Sequence, residues 1–154
     1  MMSMLADIWQ TVVGEFSDIA DIHDATITAI RLIVAVVLGA VIGYERELRG
    51  KDAGLRTHML VALGACIFVL VPVTAGMEAP EVSRVMQGII SGIGFLGAGA
   101  ILKHRQDVKG LTTAASIWVA AAVGVAAGYG REATAVASTL IALFVLAVVA
   151  RLEK

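Results

Sequence analysis

The fold is decided by residues 27–44, which read ITAIRLIVAVVLGAVIGY and carry one charge, Arg31, among 18 residues. At a rise of 1.5 Å per residue, such a helix is about 27 Å long, close to the roughly 30 Å of a bilayer's hydrocarbon core. Apolar stretches of 17 or 18 residues follow at 59–75, 85–102, 113–129 and 133–150. The chain is 58% apolar and 16% charged, whereas soluble domains average about 45–50% and 25%. The sequence therefore predicts an all-α membrane protein with a bundle of five transmembrane helices.

The rest of the composition argues against several classes of protein. With 12 Lys and Arg among 154 residues and a net charge of −1, the chain lacks the basic surface of a nucleic-acid-binding protein. Cys66 is the only cysteine, which excludes an internal disulfide and a cysteine-based zinc site. His23, His58 and His104 lie far apart, and no nucleophile–base pair, phosphate loop or metal-ligand spacing is present. We therefore expect no enzyme, no metal centre and no cofactor.

The basic residues between the spans predict the orientation. Nine follow the first, third and fifth spans, namely Arg46, Arg49, Lys51, Arg56, Lys103, Arg105, Lys109, Arg151 and Lys154. The opposite side has three, namely Arg31, Arg84 and Arg131. Because cytoplasmic loops carry the excess of Lys and Arg, we expect a bacterial inner-membrane protein with its N-terminus outside and its C-terminus in the cytoplasm.

Residues 1–26 form a segment of a different kind, ahead of the transmembrane domain at 27–154. Apolar side chains recur there at three- and four-residue steps with acidic residues between them, as in Leu5, Ile8, Trp9, Val12, Val13, Phe16 and Ile19. This pattern predicts an amphipathic helix. Two interpretations remain open: the helix lies on the outer leaflet, or it packs against the bundle or a partner subunit.

Glycines are concentrated in the first, third and fourth spans, where several are spaced four residues apart. Small residues at this spacing let membrane helices approach closely. We assign helix packing to Gly39, Gly43, Gly88, Gly92, Gly94, Gly97, Gly99, Gly124 and Gly128. Since the third span holds five of them, we expect it at the centre of the bundle. Alternatively, it is a broken helix whose carbonyls line a substrate path.

Two short motifs recur in the second half of the membrane domain. LGA at 38–40 returns at 96–98, and GLRT at 54–57 returns as GLTT at 110–113. The repeat predicts two hairpins that run in the same direction, with the fifth span as an additional element.

The segment after the first span mixes acidic and basic residues. Glu45 and Arg49 are spaced to pair on one helix face, and Gly50 is suited to end that helix. Glu45 and Arg56 lie near the membrane surface on the two arms of the hairpin. We therefore also expect an ion pair between Glu45 and Arg56.

Threonines occupy positions suited to begin the second and the fourth span. Thr57 is the expected N-cap of the second span, and Thr112 or Thr113 that of the fourth. The complete candidate motif is Glu45, Arg46, Glu47, Arg49, Arg56, Thr57, His58, Thr112 and Thr113. The segment either only holds the topology, or forms a docking surface or ion vestibule from Glu45, Glu47, Asp52, Arg56 and His58.

The spans themselves contain no Asp, Glu or Lys, and Arg31 lies a turn from the outer end, where it can reach the surface. Ion-coupled transporters usually place carboxylates or histidines inside their spans. A candidate intramembrane polar site remains in Gln87, Ser91, Ser116 and Trp118. The hydroxyl and amide groups suit hydrogen bonds between helices better than coordination of Mg²⁺.

These motifs together resemble the MgtC/SapB family of bacterial inner-membrane proteins. The matching pieces are RLI at 31–33, GYERE at 43–47, AGLRTH at 53–58, GIGFLGAG at 92–99 and VKGLTTAASIW at 108–118. The resemblance covers about residues 27–150. It implies a role in growth at low magnesium, in intracellular survival of pathogens and in restraint of the ATP synthase. The family's C-terminal cytoplasmic domain is expected to be absent, since the sequence stops at Lys154.

Two functions follow as hypotheses. The first is a non-catalytic membrane regulator that acts through helix–helix contacts, as a homodimer or with a larger complex such as ATP synthase, under magnesium limitation or stress. The second is a transporter or channel for magnesium, protons or a small solute.

Overall fold

The structure is a computed structural model, and it describes residues 2–15, 21–104 and 107–149. Its helices are α1 (Met2–Glu15), α2 (Ile22–Leu48), α3 (Leu55–Thr74), α4 (Ala79–Gly99), α5 (Leu111–Gly128) and α6 (Glu132–Phe144). A π-helical turn, Val145–Val149, continues α6, and strands β1 (Leu102–His104) and β2 (Asp107–Lys109) precede α5. The all-α membrane fold expected from the sequence is confirmed.

The chain divides into two compact units, residues 1–30 and 31–154. The first unit contains α1, whose described side chains are all exposed. Its apolar residues Leu5, Ile8, Trp9 and Val12 follow the predicted helical spacing. Phe16 and Ile19, which the sequence also assigns to this helix, lie outside the described residues.

In the described part of the chain, four helices are long and apolar enough to cross a membrane: α2, α3, α5 and α6 with its π turn. The predicted third span corresponds to α4, which has 21 residues but is less apolar than the others. Its hydropathy is lowered by Arg84, Gln87, Ser91 and five glycines. The five predicted spans therefore correspond to four strongly apolar helices and the less apolar α4.

Helix α5 lies at the centre of the second unit. It contacts α3, α4 and α6, and 50% of its span is buried, against 17% for α2. In α4 only Val82 is buried. The expectation that the glycine-rich third span is central is therefore wrong for the described residues, because no helix packs closely against most of its glycines.

The predicted repeat is visible in the packing. Gly54 precedes α3 and Gly110 precedes α5, each as the N-cap. A Cβ on Gly39 would lie 2.7 Å from the carbonyl oxygen of His58, and a Cβ on Gly97 would lie 3.6 Å from the Cβ of Ala114. His58 and Ala114 are both the fourth residue after the N-cap glycine. The α2–α3 and α4–α5 hairpins therefore pack in corresponding ways.

The connection between α4 and α5 is a short antiparallel hairpin, in which Leu102 pairs with Lys109 and His104 with Asp107. Helix α4 ends at Gly99, so the predicted span to Leu102 is three residues too long. Gly110 follows with φ +90°, and a Cβ there would overlap the Ala100 carbonyl. This turn therefore requires glycine.

Candidate functional site

Glu45 is held between two arginines at the end of α2. Arg49 Nε donates to Glu45 Oε1 at 3.0 Å, and Arg46 binds Oε2. Arg46 is only 3% exposed, and Glu45 is 13% exposed. A charge this deeply buried needs a partner, and the carboxylate neutralises one of the two cations. The predicted pairing of Glu45 with Arg49 is confirmed.

The expected ion pair between Glu45 and Arg56 is not formed. Arg56 is exposed, and within the described residues it has no ion pair. The reason is local: α2 continues to Leu48, so two arginines of the same helix reach the Glu45 carboxylate first. Gly50 follows with φ +62° and ends the helix, as the sequence predicts.

Both arginines also reach the π-helical turn at the end of α6. Arg49 Nη2 donates to the carbonyl oxygen of Ala147 at 3.0 Å, and Arg46 Nη2 lies 3.4 Å from that of Leu146. Cations at the C-terminal end of a helix interact favourably with its dipole. The sequence analysis missed this contact, because backbone carbonyls leave no signal in a sequence.

Glu47 performs the capping role that the sequence analysis assigned to Thr57. The backbone N–H of Leu55, the first residue of α3, donates to Glu47 Oε2 at 3.0 Å. The N-caps are Gly54 and Gly110, and neither makes a side-chain cap bond. The predicted threonine caps at Thr57 and at Thr112 or Thr113 are therefore wrong, because the helices begin earlier than the apolar runs indicate.

His58 and Ser116 meet inside the bundle. His58 is fully buried, its Nδ1 lies 2.9 Å from the carbonyl oxygen of Gly54, and its Nε2 lies 3.0 Å from Ser116 Oγ. A carbonyl only accepts, so Nδ1 carries a proton. Ser116 Oγ is also 2.8 Å from the Thr113 carbonyl oxygen. Its single proton can serve the histidine or the carbonyl, but not both.

The same positions of the heavy atoms are compatible with either protonation state of the His58 ring. When the ring is neutral, Ser116 donates to Nε2; when the ring is protonated, Nε2–H donates to Ser116, and the hydroxyl turns to Thr113. The sequence analysis placed His58 in the loop motif and Ser116 in the intramembrane polar site. The structure brings the two together.

The other members of that polar site do not converge on Ser116. Gln87 and Ser91 are exposed on α4. Trp118 is 48% exposed and borders a cavity of about 160 Å³ between α4 and α5, with Met86 and Ile90.

The packing glycines divide into two groups. Gly39 and Gly43 of α2 face the backbone of α3, and Gly124 and Gly128 of α5 face the carbonyls of Ala62 and Cys66. By contrast, a Cβ on any of four α4 glycines would meet no atom within 4 Å: Gly88, Gly92, Gly94 and Gly99. Gly97 makes only an ordinary contact with Ala114.

Arg31 lies at the opposite end of the bundle and is 18% exposed. Its Nη1 donates to the carbonyl oxygen of Gly128 at 3.3 Å, and its Nε is 3.7 Å from Glu132 Oε1. The side chain therefore fastens α2 to the turn between α5 and α6. Glu132 as its partner was not predicted.

Among the described His, Cys, Asp and Glu residues, one group of three lies close enough together to be considered as a metal site. Asp21, His23 and Asp24 have ligand atoms within 4.8 Å of one another, and all three are exposed. They lie in the first unit. Exposed acidic groups commonly approach one another without a metal, so we assign no metal centre to them.

Comparison with known proteins identifies the family. A family model described as MgtC matches residues 32–154. Protein MgtC of Salmonella typhimurium is 46% identical over 114 residues, which are 74% of this chain and 48% of that protein. Protein SrpB of Synechococcus elongatus is 41% identical over 137 residues, covering 80% of this chain and 75% of SrpB. No solved structure matches.

A third relative is the Escherichia coli protein named "Putative magnesium transporter YhiD", 40% identical over 126 residues that cover 77% of this chain and 59% of YhiD. The chain thus spans about half the length of the MgtC proteins it matches. The family model covers most of the chain, including Glu45 with its two arginines and the His58–Ser116 pair. The resemblance seen in the motifs is confirmed, and this chain belongs to the MgtC family.

Proposed function

We propose that this chain is a non-catalytic membrane regulator that acts by binding another membrane helix through α4. The surface involved, called here the α4 outward face, consists of Gln87, Ser91, Gly94 and Ala98. All four are exposed, and none borders the cavities on either flank of the helix.

Gln87 is the observation that carries the proposal. It makes no hydrogen bond within the described residues and is exposed on α4. The proposal takes α4 as the third predicted span, so that this amide faces hydrocarbon. An amide in hydrocarbon needs a hydrogen-bonding partner. Ser91 adds a hydroxyl one turn away, and Gly94 and Ala98 allow a second backbone to approach closely. Among partners, we favour a second copy of this chain, because an amide and a hydroxyl can each donate and accept across a symmetric pair.

The proposed role is an adjustment to magnesium limitation. A relative with 40% identity carries magnesium in its name, and the family resemblance adds ATP synthase as a candidate partner of the α4 outward face. The central bundle is rigidly packed through glycine contacts, so binding on α4 does not require the rest to rearrange.

Replacing Gln87 and Ser91 together by leucine tests the proposal, with Ser138→Leu on the exposed side of α6 as the matched control. We expect the double variant to lower the dimer fraction in mild detergent at least fivefold, and to lose support of growth at low magnesium in a strain lacking the native copy. Unchanged dimer fraction and unchanged growth would contradict the proposal.

A second candidate, a proton-linked transporter, is favoured by the buried His58–Ser116 pair. An ionisable side chain inside a membrane bundle commonly marks an ion pathway, and this pair has two hydrogen-bonding states. Purified protein in vesicles should then carry protons or Mg²⁺, and Ser116→Ala should reduce the flux at least fivefold. Absence of flux for both ions would eliminate this function.

A further inference from the structure

A groove of about 560 Å³ runs between α3 and α4, and its walls are almost entirely apolar. Gly64 of α3 and Gly88 and Gly92 of α4 border it, with Phe68 and Ile93 among the larger side chains. It lies on the flank of α4 that faces α3, apart from the α4 outward face.

The glycines create the groove. A Cβ at Gly64, Gly88 or Gly92 would meet no atom within 4 Å. Elsewhere in the bundle, glycines bring two backbones into contact, as Gly39 does with His58. Here the helices contact one another but leave the space between them open. Since protein interiors are close-packed, an apolar molecule would gain dispersion contacts by entering it.

One end of the groove is polar. A second cavity of about 270 Å³ adjoins it, sharing Val61 and Leu96, and is bordered by Asp52, Thr57 and Thr113. These residues lie at the end of the bundle that carries the α2–α3 loop. The combined space therefore has a carboxylate and two hydroxyl-bearing residues at its mouth and hydrocarbon along its length.

The length of the groove favours one kind of occupant. The α4 wall runs from Val85 to Leu96, and the 11 helical steps between them measure about 16 Å. This is about half of the roughly 30 Å hydrocarbon core, so the groove is too short to hold a transmembrane helix along its whole length. A transmembrane helix would have to cross both leaflets, whereas an acyl chain occupies one.

We propose that the groove binds a phospholipid of the leaflet on the α2–α3 loop side. One acyl chain lies between α3 and α4, and the headgroup sits at the mouth beside Asp52. The carboxylate accepts from an ammonium group and repels a second anion, so the preferred headgroup carries an amine, as in phosphatidylethanolamine.

Photocrosslinking tests the site with the full chain in vesicles of phosphatidylethanolamine and phosphatidylglycerol. The probe is a trace of phosphatidylethanolamine with a diazirine in one acyl chain. We expect crosslinks concentrated at 60–68 and 85–96. Gly92→Leu or Gly88→Leu places a side chain in the groove from a position where the Cβ meets no atom within 4 Å, and it should lower them at least fivefold.

Ser138→Leu on the exposed side of α6 is the matched control, since Ser138 lies outside both the groove and the α4 outward face. It should retain crosslinking at the groove. Circular dichroism and elution in detergent verify that each variant is folded. Labelling unchanged by both groove variants, or spread evenly over exposed residues of α2 and α6, would overturn the proposal.

The headgroup preference is tested with the same probe on phosphatidylglycerol. Wild-type protein should label more strongly with the amine lipid, and Asp52→Asn should reduce the ratio towards one. Equal labelling of the wild-type protein by both lipids would contradict the role of Asp52.

Discussion

His58 shows how a single buried residue links the two hairpins. It belongs to α3, and its partner Ser116 belongs to α5, one repeat further along the chain. Because both residues are inaccessible to solvent, water cannot replace a lost hydrogen bond. The pair therefore contributes to the stability of the α3–α5 contact whatever its further function.

Ser116→Ala should destabilise the protein by about 1–3 kcal/mol, the usual cost of leaving a buried polar group unpaired. Ser138→Ala, on the exposed side of α6, is the control and should change stability little. Thermal unfolding in detergent measures both. Equal melting temperatures for the two variants would show that the His58–Ser116 bond does not stabilise the fold.

Helix contacts depend on which glycines meet a backbone, and the sequence alone does not distinguish them. Gly88–Gly92 and Gly124–Gly128 have the same spacing, yet only the second pair lies against a neighbouring helix. The spacing of glycines identifies the side of a helix that carries small residues. Whether another helix lies against that side depends on the packing of the whole bundle.

Gly124→Ala should therefore destabilise the protein by about 1–3 kcal/mol, the typical range for overpacking, because its Cβ would overlap the carbonyl of Ala62. Gly64→Ala is the matched control, since its Cβ meets no atom within 4 Å, and it should be neutral or slightly stabilising. Chemical unfolding in mixed micelles compares the two. A larger loss for Gly64→Ala would contradict the packing described for α5.

The fold could be predicted from the sequence to a large extent, and the site only in part. The apolar runs located the ends of the helices within one to six residues, and the Glu45–Arg49 spacing predicted their ion pair. The cap by Glu47 and the contact of Arg49 with Ala147 could not be predicted. Both join residues distant in the sequence to backbone groups, and every residue type carries the same backbone groups.

At the scale of the whole molecule, the distribution of basic residues predicts the orientation in the membrane. With nine Lys and Arg on one side and three on the other, a reporter active only in the cytoplasm should be active after residue 154 and inactive when fused ahead of α1.

Removing the charge of Arg46 or Arg49 is not a clean test of orientation, since both also hold the π turn. The variant for this purpose replaces Lys51 and Arg56, which are exposed, by glutamine. It should increase the fraction of molecules with the opposite orientation. A cytoplasmic N-terminus in the unaltered protein would contradict the assignment.

The position of Ala62 bears on how the helices can move against one another. Its methyl group lies where a Cβ on Gly39 would come within 2.9 Å, and its carbonyl lies against Gly124. The backbones of α2, α3 and α5 thus approach one another closely at one small residue. We therefore expect these three helices to resist sliding past one another. No glycine of α4 meets a neighbouring backbone this closely. We therefore expect α4 to move more easily than the unit formed by α2, α3 and α5.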